Sequence, residues 1–132
     1  MQNFKTLKVW QAAHRLALDV YHATRKYPRE ELYGLTRQSR ESASSVPTNI
    51  AEGCGRGGKK DFSRFLRIAA GSASELEYQL LLGHDLAYLS PSDYLRLNAQ
   101  AIEVKRMLAA LITKVDPCDE PEAGQRLAKT DN

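Results

Sequence analysis

The chain has 132 residues, of which 42% are apolar and 27% charged, and its net charge is only +3, a composition typical of one soluble globular domain. No apolar run approaches the ~18 residues that a membrane span needs, and the N-terminus lacks the apolar segment of a secretory signal. Cys54 and Cys118 lie far apart in the sequence and form no metal-binding pair, which favours a reduced protein in the cytoplasm.

The first predicted helix extends from about Leu7 to Lys26, because Pro28 disfavours helical geometry at the residue before it. Residues at helical spacing predict its inward face: Leu7, Trp10, His14, Ala17, Tyr21 and Thr24. A second apolar stripe lies beside this face: Val9, Leu16 and Val20.

The second predicted helix begins near Leu32, and the third begins near Asp61, a favourable N-cap. The predicted inward residues of the second helix are Leu35, Ser39, Ala43, Val46 and Ile50. Those of the third helix are Phe62, Phe65, Leu66, Ala69, Ala73, Leu76, Leu80 and Ala87.

The fourth predicted helix begins at Ser90, which can cap it, with Pro91 in the first helical position and Asp93 at the positive end of the helix dipole. Its predicted core face is Leu95, Ile102, Leu108, Leu111, Ile112 and Val115.

Four helical segments joined by short connections, with no strand-like alternation, predict an all-α antiparallel up-down four-helix bundle over residues 1–115. Residues 116–132 contain two prolines, several acids and few apolar side chains. We expect them to form a disordered polar tail.

The glycine-rich stretch AEGCGRGGKKDF, residues 51–62, is close in spacing to a phosphate-binding P-loop. A P-loop follows a strand and places Ser or Thr after its Lys, whereas here the preceding residues have helical spacing and Lys60 occupies that position. We therefore interpret the stretch as a hinge. Gly53 or Gly55 would end the second helix in a left-handed conformation, and Gly57 and Gly58 would let the chain reverse.

The sequence offers no pattern of a catalytic or metal site. It lacks the Glu-x-x-His repeats of di-iron bundles, and His14, His22 and His84 are dispersed. His14 is interpreted as a hydrogen-bonded core residue. We predict no catalytic residue, no metal and no cofactor, and therefore a protein that is not an enzyme.

Positive charge is concentrated in residues 1–68, which carry 13 Lys and Arg against 6 Asp and Glu. Phosphates are the expected partners of such a region. The candidate nucleic-acid-binding residues, which we expect to lie near one another, are Arg37, Arg40, Arg56, Lys59, Lys60, Arg64 and Arg67. The alternative is a set of solubilising charges, some paired with Glu41, Glu52 or Asp61.

The third helix carries more apolar residues than one bundle core needs, and an exposed apolar stripe favours self-association. The candidate oligomer-interface residues are Tyr78, Leu81, Leu82 and Leu89.

Three stretches carry a resemblance to a known family: VWQAAHRLALDVY at 9–21, YGLTRQSRESASSVPTNIAEG at 33–53 and FLRIAAGSASELEYQLLLG at 65–83. They resemble four-helix bundle proteins related to the intervening-sequence protein, which some bacteria encode within insertions of their large-subunit rRNA genes. The accessory protein of diversity-generating retroelements is a more distant resemblance. The resemblance implies a four-helix bundle and a ring-like homopentamer, and it supplies no catalytic residues.

These observations predict a cytoplasmic, oligomeric accessory protein that binds RNA or DNA through basic surface residues and does not contact a membrane. An oligomeric scaffold for protein partners is the alternative.

Overall fold

The computed structural model describes residues 2–115, and most of them lie in four α-helices. These are α1 (Lys8–Thr24), α2 (Leu35–Cys54), α3 (Lys59–Asp85) and α4 (Pro91–Val115). Short 3-10 turns precede α1 and α2, at Phe4–Thr6 and Arg29–Glu31. Within residues 2–115 there is no strand, which confirms the all-α prediction. The predicted disordered tail, 116–132, lies outside the described residues.

The four helices form an antiparallel bundle in which each helix packs against its neighbours in the chain and α1 closes the bundle against α4. The backbones of the diagonal pairs, α1 with α3 and α2 with α4, do not approach each other closely. The up-down four-helix bundle predicted from the sequence is therefore confirmed.

One end of the bundle gathers the start of α1, the end of α2, the start of α3 and the end of α4, and we call it the hinge end. There the Gln2 N–H donates to the Cys54 carbonyl at 3.3 Å, which ties the N-terminal segment to α2. A shallow apolar groove at the same end is lined by residues 7–9 at the start of α1 and by Met107, Leu111 and Lys114 of α4.

The core contains the inward residues predicted for α2 and almost all of those predicted for α3. The largest fully buried side chains are Leu16, Val20, Val46, Ile50, Leu66, Leu76, Leu80, Leu97, Val104 and Leu108. In α4 the prediction was wrong for Leu95, which is 66% exposed, because the core-facing residue of that turn is Leu97.

The inward face predicted for α1 was wrong: the face that enters the core is shifted by about one residue along the sequence. The side chains of α1 that enter the core are Val9, Ala13, Leu16, Ala17, Val20, Ala23 and Thr24. Trp10 is only half-buried, and His14 is exposed and stacks on its ring with 4.8 Å between centroids. His14 is therefore not a core histidine, and the stripe containing Leu16 belongs to the bundle core.

α3 ends at Asp85, earlier than the sequence suggests, because Ala87 adopts a left-handed conformation with φ 65°. The N–H groups of Tyr88 and Leu89 then donate to the Gly83 carbonyl at 2.9 and 3.2 Å. This turn exposes Ala87 and directs Leu89 into the core.

The start of α4 matches its prediction. The Asp93 N–H donates to Ser90 Oγ at 3.1 Å, so Ser90 is the N-cap and Pro91 is the first helical residue.

Candidate nucleic-acid interface

Residues 55–58 connect α2 to α3, and a helix rather than a strand leads into them. The P-loop interpretation is therefore rejected. Gly57, with φ 92°, makes the reversal in a conformation that favours glycine. The left-handed turn expected at Gly53 or Gly55 was wrong, because Gly55 has φ −81° and Gly53 is a regular residue of α2.

Gly53 has a different reason to be glycine. A Cβ at this position would lie 3.0 Å from Phe62 Cδ1 and 3.0 Å from Phe65 Cβ. Both distances are tighter than ordinary van der Waals contact, so the missing side chain lets α2 and α3 approach closely at the hinge.

The N-terminus of α3 has no side-chain cap. Its N-cap is Gly58 rather than the predicted Asp61, and glycine has no side chain that could accept a hydrogen bond from the first turn. The first N–H groups of a helix have no partner within it, and the helix dipole places partial positive charge there. Lys59 and Lys60 add two full positive charges to the same turn.

Two arginines near this turn are held against one aromatic ring. The guanidinium carbons of Arg56 and Arg64 lie 4.9 and 4.5 Å from the centroid of Phe65. Each arginine also pairs with a carboxylate close to it in the chain, Arg56 with Glu52 of α2 at 3.3 Å and Arg64 with Asp61 of α3 at 3.6 Å. Because ring and carboxylate restrict both side chains, ordering them around an anion costs less conformational entropy.

We call the exposed cations of this region the hinge cluster: Arg56, Lys59, Lys60, Arg64 and Arg67. Within residues 2–115, Lys59 and Lys60 form no ion pair. Among the described residues, the carboxylates of Glu52 and Asp61 therefore pair with Arg56 and Arg64, and the charges of Lys59 and Lys60 are left for other ligands.

Arg37 and Arg40 lie apart from the hinge cluster, contrary to the expectation that the candidates would adjoin. At 1.5 Å per residue, Arg40 is about 21 Å along α2 from its C-terminal end. Arg40 Nε donates to Thr24 Oγ1 at 2.9 Å, so this side chain links α2 to α1. Arg37 pairs with Glu41 at 3.0 Å on the exposed surface.

The four oligomer-interface candidates occupy different environments. Tyr78 and Leu81 are 60% and 41% exposed on the outer face of α3. Leu82 is half-buried and packs against the core. Leu89 is 3% exposed within a single chain, so it is not available for an interface.

An apolar groove of about 520 Å³ lies between α1 and α2, and the sequence did not indicate it because its α1 residues were assigned to the core. It is lined mainly by Phe4, Trp10, His14, Ala17, Leu18, Tyr21, Pro47 and Ala51. Leu18 and Tyr21 at its rim are 46% and 42% exposed. The exposed apolar surface of α1 is thus this groove rather than the stripe of Val9, Leu16 and Val20.

Two features bear on catalysis. His84 Nδ1 lies 3.2 Å from Asp85 Oδ1, although neighbours on a helix do not normally face each other, and the His84 ring also stacks on Tyr94. The Cys54 thiol is free and buried, and burial raises its pKa.

Among residues 2–115 no three His, Cys, Asp or Glu side chains come together as metal ligands. None of the four described helices combines the length and the apolar composition of a membrane-spanning segment.

Comparisons with known proteins identify relatives of the chain. Residues 5–110 match the model of the 23S rRNA-intervening sequence protein family. The fold is similar to the crystal structure of a protein with unknown function from the S23 ribosomal protein family of Bacteroides thetaiotaomicron. The TM-score is 0.71 at 24% identity, covering 79% of this chain and 97% of that one. None of the curated proteins matches the sequence.

Proposed function

The chain belongs to the 23S rRNA-intervening sequence protein family, and on that premise we propose that it is a non-enzymatic cytoplasmic accessory protein that binds RNA phosphates. The observation that carries the proposal is the hinge cluster, where five exposed cations lie just before α3 and along its first turns. A helix N-terminus with basic side chains is a common protein site for phosphate groups.

The geometry supports contact with several phosphates rather than one. Lys60, Arg64 and Arg67 recur at helical spacing along α3, so they follow one side of that helix. Arg56 lies over the same Phe65 ring as Arg64. Successive phosphates of an RNA strand would place several negative charges along such a row.

Recognition of base identity is not expected at this surface. Single-stranded RNA is usually read by exposed aromatic rings on which bases stack. The aromatic ring of the hinge cluster, Phe65, is 8% exposed and is covered by arginines. The protein should therefore prefer structured RNA on the basis of its backbone.

Charge reversal with a matched control tests the proposal. The variant Lys60→Glu/Arg64→Glu/Arg67→Glu should bind an RNA hairpin at least about tenfold more weakly in fluorescence anisotropy. The control, Arg25→Glu/Lys26→Glu/Arg29→Glu, reverses three exposed cations at the opposite end of the bundle and should lose much less affinity. Equal losses in the two folded variants would contradict a site at the hinge cluster.

The same proposal includes a closed homo-oligomer, which the resemblance predicts to be a pentamer. On α3, Glu77 pairs with α4 and Gln79 is buried beside α2, so Tyr78 between them points outward. The groove between α1 and α2 lies on a different face. Exposed Tyr78 and Leu81 on one face and an apolar groove on another favour a head-to-tail ring, which would repeat the hinge cluster and add avidity.

A scaffold for protein partners is the second candidate function, and the groove between α1 and α2 favours it. Its volume of about 520 Å³ and its apolar lining suit an amphipathic helix of another protein. If the wild-type protein and both charge variants fail to bind RNA in the anisotropy experiment, this candidate replaces the first.

A further inference from the structure

The last described residue, Val115, lies at the hinge end and close to the hinge cluster. Lys105 Nζ bonds Glu77 Oε1 at 2.8 Å, which fixes the antiparallel register of α3 and α4. By this register Val115 lies about level with Arg67, and α4 ends at that level with its axis directed toward the level of the start of α3.

The residues that follow Val115 have the charge opposite to that of the cluster. Residues 116–132 contain five Asp and Glu against two Lys and Arg. Four of the five acids fall within residues 116–122, which contain no base: Asp116, Asp119, Glu120 and Glu122.

We propose that residues 116–122 dock on the hinge cluster of the same chain and compete there with phosphate ligands. The docking stands on charge complementarity and on the position where α4 ends, and only the competition with RNA rests on the proposed function. The protein would then carry its own acidic competitor for the site.

The segment is long enough for this contact. Seven residues span at most about 23–25 Å when extended. The start of α3 lies about 12 Å beyond the level of Arg67, and packed helices are about 8–10 Å apart. The acids therefore reach Lys59 and Lys60, which form no ion pair with any other residue in 2–115.

The strength of the contact suits a competitor that RNA can displace. Exposed ion pairs are weak individually and are screened by salt. Because the segment is tethered, its local concentration at the cluster is high without the contact being tight. An RNA that makes several phosphate contacts and releases its counterions can replace it.

A spin label tests the docking without RNA. In the full-length protein, a nitroxide on Cys118 should broaden the amide resonances of Lys59 and Lys60 at low salt and release them at high salt. Cys54 is 4% exposed, so brief labelling modifies Cys118 selectively, and mass spectrometry checks that one label is present. The labelled variant Asp119→Asn/Glu120→Gln/Glu122→Gln should lose the broadening. Broadening that is absent, or equal in this variant, overturns the proposal.

RNA binding tests the competition. Removing three tail charges by Asp119→Asn/Glu120→Gln/Glu122→Gln should tighten binding of the RNA hairpin by about threefold or more at low salt. The control Glu30→Gln/Glu75→Gln/Asp85→Asn makes the same change in net charge at exposed positions away from the hinge cluster. Equal affinity of the two variants overturns the competition. If no protein binds RNA, the proposed function fails, and the spin label alone decides the docking.

Discussion

The contact between Tyr27 and Gly83 permits a sharp prediction about stability. Tyr27 is 7% exposed, and its hydroxyl has no hydrogen-bond partner within residues 2–115. The hydroxyl lies against Gly83 of α3, where an added Cβ would overlap Tyr27 Oη and approach Cζ to 3.2 Å. The phenol of Tyr27 therefore occupies the space that any side chain at position 83 would need.

Gly83→Ala should lower the free energy of unfolding by about 1–3 kcal/mol, the usual cost of overpacking a core. Gly71→Ala is the matched control, because a Cβ at this exposed position of α3 meets nothing within 4 Å. There the change should raise stability by about 0.5–1 kcal/mol through helix propensity alone. Urea unfolding at one fixed protein concentration measures both.

Removing the hydroxyl completes the test. Tyr27→Phe should leave stability unchanged or raise it by about 1 kcal/mol, because it deletes a buried polar atom that lacks a partner. In this background Gly83→Ala should cost about 1 kcal/mol less than in the wild type. The reasoning is refuted if Gly83→Ala is as stable as Gly71→Ala, or if Tyr27→Phe does not reduce its cost.

The same residue predicts a pH dependence. Burial raises the pKa of Tyr27 to about 12, against an ordinary value of 10.0. Between these values the unfolded chain loses the proton first, so ionisation favours unfolding. The contribution of Tyr27 to the free energy of unfolding is fully present below pH ~10, and about 2–3 kcal/mol of it is lost by pH ~12. Tyr27→Phe should lack this part of the decline, and the difference between the two proteins isolates it from the other tyrosines.

Three further predictions concern assembly, capping and thiol reactivity. Wild-type protein should elute as a closed oligomer in light scattering, and Leu81→Glu should dissociate it, whereas Leu95→Glu on the exposed face of α4 should not. A wild-type mass of one chain, 14.8 kDa, would contradict the assembly. Ser90→Ala should cost about 1 kcal/mol in urea unfolding through loss of the N-cap bond to Asp93, and no loss would refute that role. Cys54, buried and with a raised pKa, should react with a thiol reagent only as fast as the hinge opens, so labelling as fast as a free peptide thiol would exclude the described packing.

The sequence predicted those features that depend on local pattern. The inward residues of α2 recur at helical spacing with few competing apolar residues, so one face was identifiable. Ser90 followed by Pro91 is a strong local signal for a helix start, and the cap is present.

The errors come from tertiary packing that local pattern does not contain. In α1 two apolar faces overlap. The pattern predicted that the face with the bulky Trp10 points inward, whereas the face with the small residue Ala13 packs closely into the core. After α3 the left-handed position is taken by Ala87 rather than by a glycine, so the sequence gives no signal for the end of the helix. The burial of Leu89, which depends on that turn, could therefore not be predicted. At the hinge, the arginines around Phe65 depend on how α2 and α3 pack, which spacing alone does not specify.

The salt dependence of RNA binding tests the central claim most directly. If the hinge cluster holds phosphates, the logarithm of the association constant should fall linearly with the logarithm of salt concentration, by roughly 0.7–0.9 per contact. Replacing Lys60, Arg64 and Arg67 by glutamine should make that slope shallower by roughly 2–3. The control variant Arg25→Gln/Lys26→Gln/Arg29→Gln has the same net charge and should keep the wild-type slope. A slope near zero in the wild type, or one that the hinge variant leaves unchanged, would contradict the account.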